Sequence, residues 1–67
     1  QNTVVTFNNP NRIVTVVKIL DVSGKLLCYQ STKENFTKIS KSNLKTGFYI
    51  VEISQDDKSV RDFLIIQ

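Results

Sequence analysis

The sequence predicts an all-β fold, a small immunoglobulin-like antiparallel β-sandwich of six or seven strands. Three observations carry that expectation. Apolar residues recur with a period of two, as in Ile13, Val17 and Ile19 with Thr15 between them, and again in Tyr49, Val51 and Ile53. Clusters of Asn, Asp, Ser and Gly punctuate these runs at short intervals. No stretch sustains a 3.6-residue apolar repeat with a capping residue, which limits helix to a single turn within residues 40–46.

The elements follow in order. Thr3-Val4-Val5-Thr6-Phe7 alternates as a first strand (residues 3–7), and Asn8-Asn9-Pro10-Asn11 turns the chain. Residues 13–20 form the second strand and residues 25–30 the third. The four residues Asp21-Val22-Ser23-Gly24 between them make an antiparallel hairpin the natural pairing. Asp21 suits the first position of that turn because its carboxylate can accept backbone N–H groups from Ser23 or Gly24. A recognition surface made of Asp21, Ser23 and Lys25 is the competing reading, and the turn-forming role is preferred. Gly24 and Gly47 are the positions where the chain can take positive φ.

After a turn over residues 31–35, residues 36–39 form a fourth strand and residues 40–47 a longer connection. Residues 48–54 and 59–66 are the last two strands, joined through Gln55-Asp56-Asp57-Lys58, where the adjacent acids serve as hairpin-turn residues. The final strand is apolar on both faces after Asp62. It should therefore bury one face and be covered, paired or bound on the other, since a bare apolar edge invites aggregation.

With 67 residues the chain is one domain, of a size that buries only about 60% of the surface exposed on unfolding. That leaves little room for a deep pocket. Val, Ile, Leu and Phe dominate the apolar set, with one Pro and two Gly, which suits a folded module. No apolar run approaches the roughly 18 residues of a membrane-spanning helix, and the first residues lack the basic-then-apolar pattern of a signal peptide. The expectation is a single domain over residues 1–67, excised from a larger secreted protein.

Catalysis finds no support. The chain has no His, no Gly-rich phosphate loop and no cluster with metal-ligand spacing, so neither enzyme, cofactor nor metal is expected. Cys28 is the single cysteine and lies between Leu27 and Tyr29, which marks it as a small half-buried side chain without a base to activate it. The net charge of +3, with Lys33, Lys38, Lys41 and Lys45 in mid-chain, admits an acidic partner. No recognition motif or stacking aromatics accompany it, so nucleic acid is not expected and solvated strand faces account for the lysines.

Three segments carry a family resemblance: the run from Val17 to Lys25, the run from Asn43 to Ile53, and Phe63-Leu64-Ile65-Ile66-Gln67. Together they resemble the C-terminal sorting domain of the type IX (Por) secretion system of Bacteroidetes. Members carry a strand ending in Asp, a Ser-Gly-Lys-like turn and Leu-x-x-Gly-x-Tyr before a strand. The resemblance covers most of residues 13–67. It implies a turn and sorting motif of Asp21, Ser23, Gly24, Lys25, Leu44, Gly47 and Tyr49. It also implies a terminal recognition segment of Lys58, Arg61, Phe63, Leu64, Ile65 and Ile66. Leu44 would be an apolar plug, and Tyr49 is preferred as a core tyrosine whose hydroxyl finds a partner.

The chain departs from the family pattern at Ser40, where Asp is usual, and at Lys41, where a buried Leu is usual. The Tyr-Pro-Asn-Pro-like opening is also missing, since Asn9-Pro10 follows the first strand, and a lost first strand would open a sheet edge. The implied function is a signal that sends cargo through the type IX system across the outer membrane and is then cleaved for surface attachment. The implied partners are the outer-membrane translocon, a shuttle protein and a sortase, with room for a homodimer through an edge or terminal strand. The implied location runs through the periplasm to the outer membrane and cell surface of a Gram-negative bacterium. The alternative is an immunoglobulin-like adhesion or substrate-binding module retained in a cell-surface protein.

Overall fold

A computed structural model describes residues 2–40 and 44–67. Six strands follow one another: β1 (Asn2–Thr6), β2 (Thr15–Leu20), β3 (Leu26–Thr32), β4 (Phe36–Ser40), β5 (Gly47–Gln55) and β6 (Lys58–Ile66). All six expected strands are present, and no helix occurs among the described residues. The helical turn expected within residues 40–46 falls mainly on 41–43, outside the described residues, as do Lys41 and Asn43 of the family pattern.

The strands form two antiparallel sheets, a pair β1-β4 and a four-stranded sheet in the order β3-β2-β5-β6. Central β2 shows why they stack. Its residues Thr15, Val17 and Ile19 point to one side and are fully buried, as the period of two requires. Opposite them across the sandwich stand Val5 of β1 and Ile39 of β4, and Val51 of β5 completes the buried cluster. Phe7, Cys28, Leu44, Tyr49, Ile53 and Leu64 pack around it, half-buried. Each such aliphatic side chain contributes about 1.5–3 kcal/mol when fully buried.

β2 starts at Thr15 and not at Ile13, because the Ile13 backbone is engaged elsewhere. Asn9, buried in the β1–β2 loop, accepts the Ile13 N–H on Oδ1 at 3.0 Å. The two hydrogens on its Nδ2 are shared among the carbonyls of Ile13 (2.9 Å), Lys33 (3.1 Å) and Glu34 (2.9 Å). One amide side chain thus ties the first loop to the β3–β4 turn. The Phe7 N–H donates to the Asn35 carbonyl at 2.9 Å and extends the same junction.

The β2–β3 hairpin forms as the sequence indicates. β3 runs on to Thr32, two residues past its expected end, because Ser31 and Thr32 pair with Val16 and Thr15. A register shift between Ile19 and Leu20 leaves Leu27 as an extra residue, a β-bulge that increases local twist. β5 and β6 pair along their whole length, from Gln55 with Lys58 to Gly47 with Ile66.

Candidate functional site

The two-stranded sheet is narrower than its partner, and the far side of the four-stranded sheet is open along β6, although Leu20 of β2 on that side is buried at 6% exposure. Strand alternation directs Lys18 and Leu20 of β2, Phe48, Ile50 and Glu52 of β5, and Arg61, Phe63 and Ile65 of β6 to that outer side. Phe48 stands opposite Ile65, Ile50 opposite Phe63 and Glu52 opposite Arg61. Phe48 is 65% exposed, Phe63 77% and Ile65 56%, values that define an uncovered apolar stripe. Contiguous exposed apolar surface makes this stripe the candidate interaction surface.

Beside the stripe sits a small charged group. Glu52 accepts Arg61 Nε at 2.6 Å and has Lys18 Nζ at 3.9 Å. Ile50, Arg61, Asp62 and Phe63 line a shallow depression of about 230 Å³. Asp62 Oδ1 accepts the Phe63 N–H at 2.8 Å, so this carboxylate lies along the outer edge of β6.

The residues singled out in the sequence divide by location. The register sets the Asp21 turn, Gly47 and residues 63–66 at one end of the sheet, and Lys58 at the other beside Gln55. The terminal segment also divides by face. Ile66 is 2% exposed and Leu64 half-buried, so both belong to the packing, whereas Phe63 and Ile65 face outward. Of the expected alternatives for the second face of this strand, covered, paired or bound, no described residue covers Phe63 and Ile65.

Asp21 acts as a turn former. Its Oδ1 accepts the Ser23 N–H at 2.9 Å, the Ser23 hydroxyl at 2.6 Å and the Lys25 N–H at 2.9 Å. Gly24 instead donates its N–H to the Asp21 carbonyl. These bonds, the Ser23 hydroxyl first, hold the Asp21 carboxyl below its ordinary pKa. Gly24 has φ 93°, a conformation that favours glycine.

Leu44 packs on the core, and the Tyr49 hydroxyl donates to the Lys45 carbonyl. That bond from a strand back to the preceding corner corresponds to the tyrosine corner of immunoglobulin-like sandwiches. It gives the Leu44-Lys45-Thr46-Gly47-Phe48-Tyr49 segment a structural task. Cys28 is half-buried and desolvation raises its thiol pKa, in keeping with an inert side chain.

Sequence reasoning missed three features: the bridging role of Asn9, the outward exposure of Phe48, and the Asp62 contact at the β6 edge. Only Phe48 had a usable signal, since the alternation that turns Tyr49 and Val51 inward turns Phe48 outward.

A family model described as the secretion system C-terminal sorting domain matches residues 1–67, the whole chain. A search of curated proteins returns no match.

Proposed function

The chain belongs to the secretion-system C-terminal sorting domain family, and from that premise we propose that its outer β5–β6 stripe is the surface the export apparatus reads. The chain is a sorting signal of the type IX secretion system, and the retained adhesion-module alternative is not favoured. The type IX machinery recognises such domains, and they imply export across the outer membrane to the cell surface.

Within that frame Phe48, Phe63 and Ile65 dock on an outer-membrane shuttle protein, with Arg61 at the rim. The translocon passes the cargo, and a sortase then removes the domain for surface attachment. The Asp21 and Gly47 turns act by shaping the end of the sheet that presents the stripe. A second copy of the chain is a further partner, through the open edge of β6.

The carrying observation is the exposure of Phe63 and Ile65 at 77% and 56% on a strand whose alternate residue Ile66 is buried. Function and fold occupy opposite faces of one strand and can be separated. In a type IX-competent bacterium, a signal-peptide-bearing reporter ending in this chain should reach the surface. Phe63→Ser with Ile65→Ser should hold it in the periplasm while the purified chain keeps its β circular-dichroism spectrum. Unchanged surface display of that variant would remove the stripe as the docking face. Failure of the unaltered chain to export the reporter would count against the sorting role itself.

A further inference from the structure

β6 is the outermost strand of the four-stranded sheet, so one of its backbone edges has no strand partner among the described residues. The hairpin decides which residues present that edge. Gln55 and Lys58 face each other across the two-residue turn Asp56-Asp57, and residues closing such a turn bond to each other. Alternation along an antiparallel ladder then aims the backbone groups of Lys58, Val60, Asp62 and Leu64 at β5, and those of Ser59, Arg61, Phe63 and Ile65 outward. The Phe63 N–H agrees, being taken by the Asp62 carboxylate.

An unpaired edge is a template for another strand, and charge selects a second copy of the same edge as the occupant. In an isologous pairing two β6 strands run antiparallel about a two-fold axis, so each register has a central residue facing its own copy. A register centred on Arg61 opposes two guanidinium groups, and one centred on Asp62 opposes two carboxylates. Like charges directly opposite are destabilising. Centring on Phe63 or Leu64 sets the Asp62 carboxylate against an apolar side chain of the other copy. Those registers also take the Phe63 N–H away from that carboxylate. Registers centred nearer either end of β6 leave few residues paired.

Centring on Val60 opposes no like charges and sets no carboxylate of the paired stretch against an apolar side chain. Lys58 of each copy then faces Asp62 of the other, giving two opposite-charge pairs. Ser59 and Arg61 exchange backbone hydrogen bonds, and Asp62 keeps the Phe63 N–H. Val60, which is 66% exposed on the uncovered end of the inner face, packs against its counterpart.

We propose that two copies join through their β6 edges, antiparallel and in the register centred on Val60, to make one continuous eight-stranded sheet. The inference rests on the second-copy partner of the reading above and gives it a surface, a register and a selecting residue, Asp62. Residues 63–66 fall beyond the paired stretch and stay open to other partners.

Cross-linking and charge exchange test it. In a Cys28→Ser chain, Val60→Cys should cross-link to its copy under mild oxidation, because facing Cβ atoms in such a pair lie about 4.5–5.5 Å apart. Phe63→Cys should not. By sedimentation, Lys58→Asp should weaken association by about tenfold, and Lys58→Asp with Asp62→Lys should recover most of that loss. A chain that stays monomeric at millimolar concentration would overturn the pairing. So would cross-linking through Phe63→Cys in place of Val60→Cys, or a double exchange no better than the single one. Association is read without any secretion apparatus, so its failure leaves the sorting role standing, and failure of export leaves the association result standing.

Discussion

At the scale of single residues, two polar side chains do more for the fold than their exposure would suggest. Asn9 serves four backbone groups from one buried position, and removing it takes this partner from the Ile13 N–H and from the Lys33 and Glu34 carbonyls, while the Ile13 carbonyl keeps the Thr15 hydroxyl at 3.2 Å. Asn9→Ala is expected to cost about 1–3 kcal/mol in denaturant unfolding. Asn9→Asp should be worse, because a carboxylate has no hydrogens to give three carbonyls. Asp21 makes a different prediction, tied to pH. Its folded pKa is lowered, so its contribution is complete above the ordinary carboxylate range and fades as pH falls through the folded value. The melting temperatures of the chain and of Asp21→Ala should therefore differ at pH 7 and draw together as the pH falls below the ordinary carboxylate range. Asp21→Asn keeps an acceptor for the Ser23 and Lys25 amides and should lose the pH dependence while retaining much of the stability.

At the scale of elements, the Gly47–Tyr49 corner can be tested by two substitutions. Gly47 has φ 155°, and a Cβ there would meet nothing within 4 Å, so Gly47→Val should cost about 1–3 kcal/mol through the backbone alone. Tyr49→Phe keeps the ring and removes the bond to the Lys45 carbonyl, for about 0.5–1.5 kcal/mol. Both should lower the urea midpoint without changing the steepness of unfolding. All six strands were legible because each reports itself locally through alternation and flanking turn residues. The Asp21 turn was legible for the same reason, its bonds being confined to residues 21–25. The pairing of β2 with β5 was not, since nothing local distinguishes one antiparallel neighbour from another. Asn9 escaped notice because its acceptors Lys33 and Glu34 lie 24 and 25 residues away. The candidate site was half legible. The apolar run over 63–66 pointed to the right strand, but only the placement of β1-β4 decides that Phe63 and Ile65 face outward while Leu64 and Ile66 pack.

At the scale of the molecule, a sandwich with principal extents of 34 × 24 × 15 Å has one thin core and little reserve. Small domains of this kind rarely exceed about 3–5 kcal/mol of stability, and a buried Ile→Ala change costs about 2–5 kcal/mol. Ile19→Ala should accordingly leave a large unfolded population at 37 °C, seen as collapsed amide dispersion in NMR spectra. The outer stripe should tolerate equally drastic changes with the dispersion intact. The strand order adds a consequence in time. β2 has β3 on one side and waits for β5 on the other, and β5 in turn is flanked by β6, whose Ile66 is buried at 2%. A polypeptide broken off before β5 can make the β2–β3 hairpin but neither the central ladder nor the β5–β6 face. If the proposed β5–β6 face is the mark, it would be unreadable on unfinished molecules, and a sorting domain built this way would also attest that the ribosome had finished the chain.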